Sequence, residues 1–164
     1  MTVTAVTKDP ERSTMTIVAE YPSPADRVWQ LWADPRWLER WWGPPTHPAT
    51  VTDHDLAAGG VVRYFMTGPD GERYHGGWRV VSVNEPSRIE FEDFFADDAG
   101  AENPDLPKTR TVVSIDDDGG TTRMTIESHF PSPEAMAQVL EMGMEEGIKQ
   151  ALSQTDALLA QLPA

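Results

Sequence analysis

The stretch that decides the fold is S-P-A-D-R-V-W-Q-L-W-A-D-P-R-W-L-E-R-W-W-G-P-P, residues 23–45, which holds five of the six tryptophans of the chain. It predicts two short helices. Ser23 and Asp34 are both favourable N-cap residues, and each is followed by a proline, which fits the first helical position. Gly43 and the two prolines after it are expected to end the second helix.

The tryptophans in this stretch need a larger partner. An indole side chain buries roughly 150–250 Å², which is more than two short helices can cover for each other. Trp37 and Trp41 are four residues apart, which places them on one helical face. A curved sheet is expected to cover the rings, and two interpretations remain open. The rings either plug an ordinary core or form the mouth of an apolar cavity.

Length and charge restrict the class of protein. A chain of 164 residues is enough for one domain with its own core, and we predict a flexible arm over residues 1–12 and a single domain over 13–164. The net charge of −14 argues against nucleic acid as a partner, since binding would require neutralised phosphates. There are no cysteines. There is also no apolar run of about 18 residues for membrane insertion and no signal-peptide pattern, so a cytoplasmic location is expected.

About seven strands are predicted from alternating and β-branched segments. Along Arg88–Phe95, the alternation places Ile89, Phe91, Asp93 and Phe95 on one face. Gly76-Gly77 indicates a bulge or a bend within its strand. Residues 96–108 form a long acidic loop that is a candidate gate. The predicted strands are 13–21, 49–56, 61–67, 72–83, 88–95, 110–116 and 121–130.

A long C-terminal helix is predicted from Ser132 to about Gln161. Ser132 is its N-cap and Pro133 occupies the first helical position, and the apolar spacing that follows would give a helix about 40 Å long. Gly143 and Gly147 lie on one face of it. They indicate close approach to the sheet or to the tryptophan helices, with ligand space or a helix–helix dimer contact as alternatives.

The order of these elements, together with several motifs, resembles a known family. The motifs are V-W-Q-L-W-A-D-P-R-W-L-E-R-W-W-G-P (28–44), D-L-A-A-G-G (55–60), G-P-D-G-E (68–72), G-W-R-V-V-S-V-N-E-P-S-R-I-E-F (77–91), T-R-M-T-I (122–126) and M-G-M-E-E-G (142–147). They are similar to those of the helix-grip superfamily typified by the birch-pollen allergen and steroidogenic lipid-transfer (START) domains, in the branch named for the activator of Hsp90 ATPase. The resemblance implies an α+β fold. In this fold a curved antiparallel sheet wraps around a long C-terminal helix, with two short helices after the first strand.

A ligand cavity is expected between this sheet and the C-terminal helix. Arg63 shares a strand register with Phe65, and a pair between Arg63 and Asp93 would orient a polar head group or act in acid–base catalysis. The alternative is that a register shift turns these groups towards water. The predicted lining residues are Trp32, Trp37, Trp41, Arg63, Phe65, Tyr74, Trp78, Phe91, Asp93, Met124, Met136, Leu140 and Met144.

No metal or cofactor is predicted. The four histidines, His47, His54, His75 and His129, do not have metal-binding spacing, and no catalytic residue is assigned. The sequence favours a protein that binds a small hydrophobic molecule in its cavity. Three alternatives stay open: a cyclase or dehydratase with an acid–base pair, a partner of Hsp90, and a protein whose cavity is filled by its own side chains. The last would work only through a homodimer surface, for which the segment Trp41–Pro45 is the candidate.

Overall fold

The computed structural model describes residues 3–161. Met1, Thr2 and residues 162–164, which belong to the predicted arm and to the end of the predicted domain, lie outside them. The elements are β1 Val3–Asp9, β2 Thr14–Tyr21, α1 Ala25–Ala33, α2 Pro35–Trp41, β3 Ala49–His54, β4 Val61–Thr67, β5 Arg73–Asn84, β6 Arg88–Phe95, β7 Thr109–Asp118, β8 Thr121–His129, α3 Pro133–Glu141, α4 Met144–Leu152 and α5 Thr155–Gln161.

The strands form one antiparallel sheet in the order β1-β2-β8-β7-β6-β5-β4-β3. Seven of them are the predicted strands, with ends shifted by a few residues. The eighth, β1, lies where the sequence predicts a loose arm. It pairs with β2 through Val6 and Ile17, among others, and the Lys8 ammonium lies 2.7 Å from the Glu145 carboxylate of α4.

The two tryptophan helices are confirmed, but their caps differ from each other. Asp34 caps α2 by accepting a hydrogen bond from the Arg36 amide at 2.9 Å, as its sequence position predicts. The prediction for Ser23 is wrong, because α1 begins at Ala25 after Pro24 and has no local side-chain cap. Its first amide instead donates to Asp117, in the β7–β8 hairpin, at 3.0 Å.

The C-terminal segment is helical but interrupted. Ser132 accepts the Ala135 amide at 3.0 Å and caps α3. The continuous helix breaks at Gly143, whose φ of +88° lies in the left-handed region, and again before Thr155. The expected close approach at the glycines is also wrong, since a Cβ on Gly143 or Gly147 would meet open space.

The helices cover one face of the sheet, and the core lies between them. Its largest fully buried side chains include Tyr21, Trp32, Trp41, Trp78 and Phe91. This arrangement confirms the α+β helix-grip fold. No helix within residues 3–161 has both the length and the apolar character needed to cross a membrane.

Candidate functional site at Asp93

The register of β4 decides which side chains face the core. Val62 is fully buried, and Tyr64 and Met66 pack against the core from the same face. Arg63 therefore points to the opposite face, where it is exposed and lies 3.5 Å from Asp53. The predicted pair of Arg63 with Asp93 is wrong, because the two side chains lie on different sides of the sheet.

Two further predicted lining residues lie outside the core. Phe65 shares the outer face with Arg63, and its ring contacts the Arg73 guanidinium at 4.4 Å and the His75 ring at 5.5 Å. Tyr74 is an even number of residues from Trp78 and so points to the same side of β5, but it lies near the start of that strand and is 54% exposed. Neither residue borders an interior space.

Most of the other predicted lining residues are packed core. The Trp32 N–H points to the Met124 sulfur at 3.2 Å, and Trp78 stacks on Phe91 with ring centroids 4.2 Å apart. These rings fill the interior, which agrees with the interpretation that the tryptophans plug an ordinary core. The buried members are Trp32, Trp41, Trp78, Phe91, Met124 and Met136, and Leu140 and Met144 are partly buried against them.

The remaining tryptophans of the opening stretch divide between surface and core. Trp37 is only partly buried, and the Arg40 guanidinium lies 4.8 Å from its ring centroid. Trp41 and Trp42 are buried. Trp37 and Trp41 therefore differ in burial although they lie four residues apart in one helix, and the tryptophans of the segment Trp41–Pro45 do not form the exposed surface that the homodimer alternative requires.

Asp93 is the polar residue that the structure places on the inner face. Ile89 and Phe91 share that face as predicted. The Tyr64 hydroxyl donates a hydrogen bond of 3.2 Å to the Asp93 carboxylate. Burial raises the pKa of Asp93 to about 7, against the lowering effect of this hydrogen bond. Within residues 3–161, no Lys, Arg or His forms an ion pair with Asp93.

Gly76 allows Tyr64 to reach Asp93. It lies opposite Tyr64 in the β4–β5 pairing, and a Cβ at this position would lie 2.7 Å from the Tyr64 hydroxyl oxygen. Only a glycine leaves room for the ring there. The predicted bulge at Gly76-Gly77 is wrong, because the register of β5 shifts between Val80 and Ser82 instead.

Trp42 completes the cluster. Its ring lies 5.9 Å from that of Tyr64 and 4.8 Å from that of Trp78. The Trp42 N–H is close enough to Tyr64 to oppose, in part, the rise in the Tyr64 pKa that burial and the Asp93 charge cause. The Trp42 N–H nevertheless makes no hydrogen bond of acceptable geometry. Trp42 and Tyr64 were not among the predicted site residues, although the small Gly76 opposite β4 was a usable signal.

Asp93 and Tyr64 lie on the inner face of the sheet, and burial is the main cause that raises the pKa of each. Each residue nevertheless keeps part of its surface accessible. This combination is typical of side chains that border a narrow recess. We use the name Asp93 cluster for Trp42, Tyr64, Trp78 and Asp93.

Two depressions of the structure lie elsewhere. One, of about 270 Å³, is lined by Glu92, Lys108, Arg110, His129, Phe130 and Pro131. The other, of about 370 Å³, is lined by Trp29, Ala33, His54, Leu56, Val83 and Glu85. Neither contains a predicted cavity residue. In the described part of the chain, no three His, Asp or Glu side chains are grouped closely enough to hold a metal ion.

Comparisons with known proteins place the fold. A family model described as Activator of Hsp90 ATPase homolog 1-like protein matches residues 22–160. A crystal structure of a Mycobacterium smegmatis protein is 49% identical with a TM-score of 0.90, covering 99% of both chains. A solution structure from Arthrobacter aurescens is 47% identical with a TM-score of 0.93, covering 99% of this chain and 94% of that one. No functionally curated protein matches.

Proposed function

The chain belongs to the activator of Hsp90 ATPase homolog 1-like family, and we propose that it binds a small organic molecule beside Asp93 and Tyr64. The observation that carries this proposal is the Asp93 carboxyl group itself. It lies opposite Trp78 on the inner face, accepts a hydrogen bond from Tyr64 and keeps part of its surface accessible. A buried carboxyl group without a charged partner is costly to the fold, and such groups concentrate at functional sites.

The surroundings of Asp93 suit a ligand that is mostly apolar with one polar group. Pockets for small molecules usually combine apolar and aromatic walls with a few converging polar groups. The partly exposed Tyr64 ring offers apolar surface beside Asp93, and burial of a ligand contributes about 25 cal/mol for each Å² of its apolar surface. Trp32, Trp41 and Phe91 fill the middle of the core, where the sequence predicts the cavity.

Native mass spectrometry of the freshly purified protein, followed by organic extraction, tests this proposal. We expect a discrete extra mass that is lost in Met66→Trp, because Met66 is partly buried on the inner face of β4 next to Tyr64. Phe65→Trp enlarges the neighbouring residue on the outer face and should leave the extra mass in place. A protein that carries no ligand, and takes up no fatty acid, sterol, aromatic polyketide, arylalkyl amine or alcohol, would contradict the proposal.

Acid–base catalysis is a second candidate function, favoured by the pKa of about 7 that burial gives Asp93. A carboxyl group with this pKa is present in both protonation states at neutral pH, which suits a general acid or base. If the extracted ligand is converted to a product, we expect Asp93→Asn to stop turnover while the ligand still binds. Equal turnover in the variant would exclude this role.

A further inference from the structure

Resting on the proposed function, we infer that the ligand is an organic amine whose ammonium group pairs with the Asp93 carboxylate beside the Tyr64 ring. The juxtaposition that carries this is a partly buried carboxylate without a cationic partner, hydrogen-bonded to a partly exposed tyrosine.

The groups that face Asp93 provide no positive charge. From β4 it meets Tyr64, and the residues opposite it on β5 and β7 are Trp78 and Thr109. Tyr64 is the titratable group among them, and its own pKa is raised well above the ordinary value by burial. The tyrosine therefore stays neutral near pH 7. A buried charge is normally paired, and an ammonium group of the ligand would be the missing partner.

The rings beside Asp93 add a second attraction for a cation. An ammonium group within about 6 Å of the face of a tryptophan or tyrosine ring is attracted by the ring quadrupole, most strongly where water is excluded. Tyr64, whose hydroxyl lies 3.2 Å from the Asp93 carboxylate, is partly exposed and is the ring that can offer this attraction. Trp42 and Trp78 are buried beside Tyr64, with ring centroids 5.9 and 6.5 Å from its own.

A neutral ligand with a hydrogen-bond acceptor is the competing class, because the Trp42 and Trp78 N–H groups have no hydrogen-bond partner. Both nitrogens are fully enclosed, however, so they do not open onto the space beside Asp93. The two rings cross at 84° with centroids 4.8 Å apart, an arrangement in which an N–H can point to an aromatic face. Asp93 and Tyr64 are the polar residues of the site that are partly exposed.

The net charge of the whole chain also favours a cationic ligand. A net charge of −14 raises the local concentration of cations and repels anionic ligands. A fatty acid or a phosphate ester would have to approach Asp93 against both this field and the carboxylate.

Isothermal titration calorimetry with 4-phenylbutylamine and the isosteric 4-phenylbutanol tests the inference on the full chain. At about pH 8 we expect the amine to bind at least about tenfold more tightly than the alcohol. Between about pH 6 and about pH 8 the amine affinity should rise about tenfold, because the ionised fraction of Asp93 rises through its pKa of about 7 and the apparent affinity follows the competent fraction. Alcohol binding should be nearly independent of pH.

Matched variants distinguish the effect of the Asp93 carboxylate on amine binding from the effect of general surface charge. Asp93→Asn should weaken amine binding about tenfold or more at about pH 8, a loss larger than any change in alcohol binding. Asp53→Asn removes a carboxylate from the outer face, beside Arg63, and should change neither. The pH series on the unmodified protein gives its answer even if Asp93→Asn folds poorly.

The possible results distinguish this inference from the proposed function. Alcohol binding that equals or exceeds amine binding at about pH 8 would overturn the inference and leave the proposed function standing. Amine affinity that is unchanged in Asp93→Asn, or that falls as the pH rises from about 6 to 8, would also overturn it. If neither probe binds and native mass spectrometry shows no ligand, both proposals fail.

Discussion

Asp93 is a residue that the fold accommodates at a cost. Its neighbours on the inner face are Phe91 and Trp78, and a hydrogen bond from Tyr64 compensates only part of the lost hydration, since burial still raises its pKa to about 7. A hydrophobic side chain would suit this position better if packing alone mattered. The residue is therefore the strongest single indication that the inner face has a function beyond the core.

The raised pKa of Asp93 predicts a pH-dependent loss of stability. In the unfolded chain an aspartate titrates near pH 4, so between about pH 4 and pH 7 the folded state binds more protons than the unfolded state. The free energy of unfolding therefore falls as the pH rises through this window. Relative to Asp93→Asn, we expect the wild type to lose on the order of 2–4 kcal/mol from about pH 4 to about pH 8.

Urea denaturation of both proteins across this pH range measures the difference. Because the other titrating groups are common to the two proteins, the difference isolates Asp93. Asp53→Asn, at an exposed position on the outer face, serves as the control and should follow the wild type. Parallel curves for the wild type and Asp93→Asn would show that Asp93 is well hydrated in the folded state.

At the scale of elements, strands were easier to predict than the faces they present. Along β4 the sequence V-V-R-Y-F-M has apolar side chains in both registers, Val61 and Phe65 in one and Val62 and Met66 in the other. A one-residue choice exchanges the two faces, and Arg63 was assigned to the wrong one. Along β6 the alternation is cleaner, which is why the position of Asp93 was predicted correctly while its partner was not.

Replacing the two glycines of the C-terminal segment by alanine should change the stability of the protein in opposite directions. Gly143 has a φ of +88° and Gly147 lies inside α4, and a Cβ at either position meets open space. We expect Gly143→Ala to lower the free energy of unfolding by about 1–2 kcal/mol, since an L-residue is strained in that region. Gly147→Ala should raise it by about 0.5–1 kcal/mol through helix propensity.

Thermal or urea denaturation of the two variants decides this prediction, and each variant is the control for the other. A stabilised Gly143→Ala would mean that α3 and α4 form the continuous helix that the sequence predicts. A destabilised Gly147→Ala would mean that this face of α4 packs closely against another part of the protein.

At the scale of the molecule, family membership was predictable because the motifs lie in order along most of the chain. The filling of the core by aromatic rings was also indicated by composition, since six indoles need a large interior. The first strand was missed for a physical reason. Of its seven residues, only Val3, Val6 and Asp9 are even partly buried, so the segment has no strong apolar alternation, and its conformation depends on pairing with β2.

Removal of residues 1–9 tests whether β1 is part of the folded domain. The deletion exposes the edge of β2, uncovers apolar surface beneath Val3 and Val6, and removes the contact between Lys8 and Glu145. We expect the free energy of unfolding to fall by about 1–2 kcal/mol and native mass spectra to show self-association through the unpaired edge. Lys8→Ala keeps the strand and should cost less than about 1 kcal/mol, because the ion pair is at the surface. A truncated chain with the same stability and the same oligomeric state as the full chain would instead support a loose arm, and the domain would then begin near Ser13.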